Sequence, residues 1–312
     1  MKDKMKRIVL LIAFMGLLQI SCDKEDKSSL NISSNEIELS AAGTEQRITV
    51  QTNEPVWNVM SESNWLVTGR DSCDIVLSAA SNPYRTPRTA KLYIACGDRF
   101  ERVIITQAGS SRVFGDPYPD AANPIGIIYK VTDGGAHGTI ISLDERAGVW
   151  GPTTETHTDV RSFVDGASNT RNLITTHRGE PDFATTYPAF SWVYQMNNGS
   201  LDGGWYIPAY YELAEIHNLL TGNVYTMPTG NPPTIHPTIT HNLSIRDMFD
   251  EALVAHGGTP MDYLARVYWS SSEGTASNAL GVRFNNGTST MNSMVSNNKG
   301  NSAFYVRAIL KF

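Results

Sequence analysis

The chain has 312 residues, of which 41% are hydrophobic, and a formal net charge of −6. This length and composition are typical of one or two globular domains. The residues before position 22 carry four basic and one acidic side chain, so the rest of the chain has a net charge of −9. Because such an acidic protein repels phosphates, we expect neither nucleic acid nor anionic lipid head groups as partners.

Residues 1–21 have the features of an export signal. Basic residues precede an apolar run from Ile8 to Leu18, which is too short for a transmembrane helix. The Gln-Ile-Ser-Cys sequence that follows resembles the bacterial lipobox, which implies cleavage before Cys22 and a lipid on that cysteine. We expect this lipid to be the only membrane contact.

Residues 22–29 form a charged, polar segment that cannot pack, and we interpret it as a flexible tether. The segment resembles the short acidic signal with which Bacteroidetes send lipoproteins to the outer face of the outer membrane. This resemblance implies a lipid-anchored protein that faces the cell exterior.

Residues 30–109 contain short runs in which apolar and polar residues alternate, separated by turn residues. This pattern predicts half-buried strands of an all-β sandwich. The segment ends in Thr-Gln-Ala-Gly and resembles a BACON domain, a module often found beside carbohydrate-active partners, which implies an immunoglobulin-like sandwich. Trp57 and Trp65 could stack on sugars, but we interpret both as core residues. Cys73 and Cys96 either form a disulfide or remain separate thiols.

Residues 113–312 combine helical and strand patterns. A strand pair is predicted at residues 126–129 and 138–143. Pro208 is suited to open a helix with the apolar stripe Leu213, Ile216, Leu219 and Leu220. A second helix is predicted from Ser244, as its cap, to His256, with Ile245, Met248, Phe249 and Leu253 on one face. Short strands are expected at 266–271, 279–284, 289–294 and 304–310, which makes an α+β domain.

Four motifs in this second part resemble the Lcl C-terminal and Fibrobacter-type paralogous domains. They are GWYIPAYYEL, YWSSSE, ALGVRFNNG and YVRAILKF, in that order. The resemblance covers residues 125–312 and implies a C-type lectin-like fold. The related formylglycine-generating enzymes depend on active-site cysteines, and no cysteine lies beyond Cys96.

The run from Ser270 to Ser272 follows Tyr268-Trp269 at the end of a predicted strand. It lacks the Gly-x-Ser-x-Gly turn that exposes a nucleophile. We therefore predict that these serines satisfy backbone groups or Glu273, that Trp269 fills the core, and that the protein is not an enzyme.

Metal sites are also not predicted. Calcium-binding lectins of this fold use Glu-Pro-Asn or Gln-Pro-Asp in a long loop together with Trp-Asn-Asp, and these motifs are missing, so calcium binding is left open without assigned ligands. Glu180-Pro181-Asp182 imitates the first tripeptide at the wrong place in the fold. His236 and His241 lack the spacing of a zinc site.

The remaining candidate is a polar surface near the C-terminus. The predicted ligand-binding residues are Glu273, Asn285, Asn286, Asn297 and Asn298. Side-chain amides donate and accept hydrogen bonds, which suits sugar hydroxyls, although asparagine is also common at hairpin tips. A tail diversified by a retroelement would also be rich in asparagine.

We expect a non-catalytic surface lipoprotein that binds glycans or mucin-type host glycoproteins and needs no cofactor. The alternative is a structural or adhesive tip protein that contacts other surface proteins.

Overall fold

The computed structural model describes residues 27–221, 243–261, 266–284 and 294–312. Cys22, Asn285, Asn286, His236 and His241, for which predictions were made, lie outside these residues. The described part is rich in β-structure, with four sheets and five α-helices. No described helix is both long and apolar enough to serve as a membrane span.

The region before residue 110 forms two four-stranded sheets. The first has the order β1-β3-β6-β5 and the second β2-β8-β7-β4. The strand bounds are Leu30–Ile32 (β1), Glu36–Leu39 (β2), Gln46–Thr52 (β3), Asn58–Ser61 (β4), Leu66–Asp71 (β5), Asp74–Ala79 (β6), Arg88–Cys96 (β7) and Arg99–Gln107 (β8). Alternate side chains of these strands form one hydrophobic cluster, which confirms the predicted sandwich.

The two tryptophans of this region differ in burial. Trp57 is 5% exposed and belongs to the cluster, as predicted, whereas Trp65 is only partly buried and packs against it. Guanidinium groups cover both rings: Arg70 lies 4.2 Å from the centroid of Trp57, and Arg88 lies 4.4 Å from that of Trp65. These cation–π contacts occupy the faces that a sugar would need.

The two cysteines of the sandwich are not bonded to each other. Cys73 is exposed and Cys96 is buried. The Cys96 thiol lies 2.9 Å from the hydroxyl of Thr52, so it acts as a small buried side chain.

Direct contacts join the sandwich to the following part of the chain. The Arg85 guanidinium lies 2.6 Å from the carboxylate of Asp116, and the Gly134 N–H donates to the hydroxyl of Ser81 at 3.2 Å. Gly134 has a φ of +67°, and a Cβ there would lie 2.7 Å from that of Ala41. Only glycine allows both this conformation and this close approach.

Residues after 112 form the other two sheets, with the orders β17-β11-β10-β9 and β12-β16-β13-β14-β15. The strand bounds are Pro117–Tyr118 (β9), Gly126–Thr132 (β10), His137–Ser142 (β11), Arg146–Ala147 (β12), Val267–Glu273 (β13), Asn278–Arg283 (β14), Met294–Asn298 (β15), Tyr305–Val306 (β16) and Ile309–Lys311 (β17). β10 and β11 pair antiparallel as predicted. Most of the predicted third C-terminal strand, residues 289–293, lies outside the described residues, and a strand occupies Met294–Asn298.

The helices of this part are Gly166–His177 (α1), Phe183–Thr186 (α2), Pro188–Met196 (α3), Tyr210–Thr221 (α4) and Leu243–Ala255 (α5). The apolar stripe of α4 is confirmed, with Leu213, Ile216 and Leu220 buried and Leu219 partly buried.

The prediction for α5 is wrong in two details. The helix includes Leu243, so Ser244 lies inside it and is not its cap. Met248 is 51% exposed, whereas Phe249 and Leu253 are fully buried. Met248 precedes Phe249 by one residue and therefore lies about 100° around the helix from it.

β13 is buried along its whole length. Helices α1 and α4 both pack against it, which explains why even its polar residues are enclosed. The end of this strand positions the candidate site.

Candidate functional site

The serines of β13 are structural. Ser270, Ser271 and Ser272 are each 0% exposed. The Ser270 hydroxyl donates to the carbonyl of Leu280 at 2.8 Å, and that of Ser272 donates to the carbonyl of Ser162 at 2.7 Å. Trp269 is also fully buried. The prediction that these residues satisfy backbone groups and fill the core is confirmed.

Glu273, the last residue of β13, is the centre of a buried ionic group that we call the Glu273 hub, formed by Glu273, Lys299, His157 and Arg161. Its carboxylate accepts from the Lys299 ammonium at 2.5 Å and from Arg161 Nε at 3.1 Å. The His157 main-chain N–H donates to both carboxylate oxygens at 2.9 and 3.0 Å, and His157 Nδ1 lies 3.1 Å from Oε1. The side chains of Glu273 and Lys299 are 0% exposed. Because burial of a single charge is costly, each of these two groups serves as the counter-charge of the other.

A tight turn after β15 brings Lys299 to this position. The Asn298 side chain accepts from the N–H of Gly300 at 2.9 Å, and the Asn297 side chain accepts from the N–H of Asn298 at 2.8 Å. These local side-chain bonds are typical of asparagine in turns. The Lys299 ammonium also donates to the carbonyl of Glu155 at 2.7 Å, which connects the turn to the next segment of the site.

The hub keeps Glu273 ionised. Burial alone would raise the pKa of this carboxyl, but the hydrogen bonds from Lys299, His157 and Arg161 outweigh it, and the net pKa is lowered. Burial lowers the pKa of Lys299, and the contact with Glu273 opposes this decrease.

A cleft of about 510 Å³ opens beside the hub. Its lining residues are Glu155, Thr156, His157, Thr158, Asp159, Leu173, Thr176 and His177. The first five belong to the loop before α1, and the last three to α1 itself. Seven of these eight residues carry a hydroxyl, carboxylate or imidazole group, and we call the cavity the 155–177 cleft.

Three ligand atoms converge in the 155–177 cleft. One each from Glu155, His157 and His177, they all lie within 4.8 Å of one another. The hydroxyl of Tyr187 lies among them, 2.8 Å from Glu155 Oε2, 3.0 Å from His157 Nε2 and 3.4 Å from His177 Nε2. Two imidazoles and a carboxylate are donors that a divalent transition metal prefers.

In both imidazoles Nε2 lies near the Tyr187 hydroxyl, and the second nitrogen, Nδ1, lies beside a carboxylate. His157 Nδ1 faces Glu273, and His177 Nδ1 lies 2.9 Å from Glu180 Oε1. An ionised carboxylate only accepts hydrogen bonds, so each Nδ1 carries a proton, and in the neutral tautomer of each ring Nε2 has a lone pair. Burial lowers the pKa of His157, which favours this neutral form. Burial, with the hydrogen bond to Glu155, raises the pKa of Tyr187 and keeps its phenol protonated.

The same geometry would suit His157 as a general base. The lining residues of the described cleft include three threonines but neither a serine nor a cysteine. The cleft offers hydroxyl, carboxylate and imidazole groups to a ligand, and two imidazoles and a carboxylate to a cation.

The residues predicted from the sequence have different environments. Glu273 is fully buried and all its hydrogen-bond partners named above are protein groups, so it positions other residues and does not face a ligand. Asn297 is partly buried and Asn298 is exposed, and both belong to β15, at the edge of the last sheet. The prediction of hairpin tips does not hold for these two. Glu180, thought to imitate a calcium motif, pairs with His177.

Sequence reasoning did not single out four residues of the candidate site: Glu155, His157, His177 and Lys299. One signal was present: Glu155 and His157 are two apart, and in an extended segment such residues point to the same side. The pairing of His157 with His177 across twenty residues follows only from the loop and helix between them.

Comparisons with known proteins give no family for this chain. No family model and no curated protein matches the sequence. Among solved structures, one match is a Bacteroides ovatus GH5 xyloglucanase in complex with a XXXG heptasaccharide, with 15% identity and a TM-score of 0.25 over 32% of this chain and 23% of that one. Another is a Bacteroides thetaiotaomicron protein, with 11% identity and a TM-score of 0.25 over 30% of this chain and 98% of that one. The M1 domain of titin matches with 5% identity and a TM-score of 0.21, over 25% of this chain and 92% of that one.

Proposed function

We propose that this protein is a non-catalytic surface lipoprotein that binds glycans or glycoproteins through the 155–177 cleft. It has two domains: a BACON-like sandwich at residues 30–109, which acts as a spacer, and a C-type lectin-like domain at residues 113–312, which binds the ligand. The lipid on Cys22 anchors the chain to the outer membrane.

The observation that carries the proposal is the polar, pre-organised cleft. Sugar hydroxyls need donors and acceptors at fixed positions, and the three threonine side chains and two carboxylates of the cleft supply both. The Glu273 hub fixes the loop that lines the cleft. Glu273 accepts from the main-chain N–H of His157, and Lys299 donates to the carbonyl of Glu155. Pre-organisation of this kind lowers the entropic cost of binding.

The sandwich supports the proposal in a different way. Its two tryptophans are covered by arginines, so they do not provide free stacking platforms. This favours the spacer role and assigns ligand contact to the second part of the chain.

The test is a glycan array, with mucin-type glycoproteins included, probed with the full chain. Thr176→Arg places a long cation in the cleft, and Thr175→Arg is the matched control, because Thr175 is exposed on the same helix and does not line the cleft. We expect the first variant to lose binding at least tenfold and the second to bind like the parent.

Two results would contradict the proposal. If every glycan and glycoprotein is blank, the alternative of a structural tip protein is favoured. If both arginine variants bind ligand as tightly as the parent, the ligand site lies elsewhere, for example at the exposed edge strand with Asn298.

A further inference from the structure

In the 155–177 cleft, hydrogen-bond acceptors outnumber the hydrogens available to them around Tyr187. Within the described part of the chain, His157 Nε2, His177 Nε2 and the Glu155 carboxylate share one nearby protein hydrogen, that of the Tyr187 hydroxyl. One hydrogen cannot satisfy three acceptors at once. A cation among them would satisfy all three, since each offers a lone pair.

We propose that Glu155, His157 and His177 form a zinc-binding site. The ligand atoms lie within 4.8 Å of one another, and His157 Nε2 and Glu155 Oε2 are 3.7 Å apart. Zinc bonds of about 2.0–2.2 Å in a tetrahedron place ligand atoms roughly 3.3–3.6 Å apart. Small rotations of the side chains bring the three atoms to this spacing.

The surroundings of the two histidines are those of metal ligands. A ligating histidine generally donates its other N–H to a carboxylate or carbonyl, which fixes the tautomer and makes the ligand nitrogen more basic. Glu273 provides this group for His157 at 3.1 Å, and Glu180 provides it for His177 at 2.9 Å. Thus two independent carboxylates aim the two Nε2 atoms at the same point.

The ligand types select zinc over calcium. Calcium takes six to eight oxygen ligands, whereas this site offers two nitrogens and one carboxylate. Three protein ligands would leave one position of a tetrahedral zinc ion for a water molecule or another ligand. The site does not depend on the cleft binding a glycan, and its test is separate from the array.

The experiment measures zinc binding by the full chain after removal of metal with a chelator. Isothermal titration with ZnCl₂ gives affinity and stoichiometry, and Co²⁺ gives a visible absorption spectrum that reports tetrahedral coordination. We expect at least one zinc per chain that is lost in Glu155→Gln and His177→Gln, both on partly exposed residues whose replacement leaves the core intact.

The chain offers a matched control. His137 Nδ1 lies 3.1 Å from the carboxylate of Asp133, just as His177 pairs with Glu180, but His137 does not belong to the cluster. We expect His137→Gln and Asp133→Asn to leave the affinity unchanged, and His177→Gln to weaken it more than 100-fold. Glu180→Gln changes only the carboxylate that accepts from His177 Nδ1, and we expect it to weaken zinc affinity about 10–100-fold.

The inference is overturned by either of two results. One is that the parent chain binds no zinc at 100 µM metal. The other is that Glu155→Gln and His177→Gln bind zinc as tightly as the parent, since the ion would then be held elsewhere on the chain. In both cases the array experiment still decides the function of the cleft.

Discussion

Replacing Lys299 by methionine tests the Glu273 hub most directly. Methionine keeps the length and volume of the side chain but removes the ammonium. Glu273 would then be a buried carboxylate that keeps only the hydrogen bonds from His157 and Arg161. Removal of one partner from a buried ion pair is strongly destabilising because the other charge remains buried.

The distance gives the magnitude. At the 2.5 Å between Lys299 Nζ and Glu273 Oε1, two unit charges attract by about 6–7 kcal/mol at an effective dielectric constant of 20. The variant no longer carries the cost of burying the ammonium, which offsets roughly half of this attraction. We expect the free energy of unfolding to fall by about 3 kcal/mol at pH 7.

Urea unfolding followed by tryptophan fluorescence measures this change, because Trp150, whose ring centroid lies 5.0 Å from Lys299 Nζ, is fully buried in the folded protein and becomes exposed on unfolding. Lys91→Met is the matched control: its ammonium lies 3.9 Å from Glu62, and both side chains are about half exposed. An exposed pair of this kind is worth about 0–1 kcal/mol. Adding Glu273→Gln to Lys299→Met should restore part of the loss, since it removes the unpaired charge.

The pH dependence gives a second signature. In the parent, the pKa of Glu273 is below its ordinary value of 4.5, so its contribution is present above pH 4.5 and is lost as the pH falls through the folded-state pKa. Without Lys299 the pKa of Glu273 rises. As the pH falls, protonation of Glu273 then removes the uncompensated buried charge and reduces the destabilisation of the variant. The difference in the free energy of unfolding between the parent and Lys299→Met should therefore become smaller below neutral pH. A loss under 1 kcal/mol, equal to that of Lys91→Met and constant with pH, would refute the reasoning.

Three further predictions follow from burial and titration. Phe249→Ala should cost about 3–5 kcal/mol of unfolding free energy, and Met248→Ala less than about 0.5 kcal/mol, as measured by urea unfolding. Trp57→Ala should cost about 3–5 kcal/mol, whereas Val67→Ala, at a position 64% exposed, should have little effect; equal losses would contradict the burial of Trp57. The unfolding free energy should fall as the pH drops below 6.5, because the lowered pKa of His157 lets the unfolded chain bind more protons; His157→Gln should flatten this part of the profile.

Much of the fold could be predicted because its signals are local. Alternation of apolar residues identified the sandwich strands, and the stripe from Leu213 to Leu220 identified α4. The errors occurred where a helical face is decided by its neighbours. Met248 and Phe249 are both apolar, and only the packing of α5 determines that Phe249 is buried and Met248 is not.

The site could be predicted only in part, for a different reason. Glu273 was identified from its motif, but its role depends on partners distant in the chain, at positions 157, 161 and 299. Lys299 follows a run of asparagines and resembles an ordinary surface lysine. Nothing in its sequence context indicates that the turn after Asn298 directs it into the interior.

The Glu273 hub limits how the asparagine-rich sequence between Asn278 and Asn301 can vary. Asn298 is exposed at the edge of the sheet, so most polar residues could replace it at little cost in packing. Lys299, one residue later, neutralises a buried carboxylate and holds the carbonyl of Glu155, the residue that begins the 155–177 cleft. Substitution at 299 would therefore alter both the stability of β13 and the position of Glu155, whereas substitution at 298 would remove one side-chain hydrogen bond of the turn, that from the N–H of Gly300. If variation in this asparagine-rich sequence serves recognition, it must leave position 299 unchanged, because the position of Glu155 in the 155–177 cleft depends on Lys299.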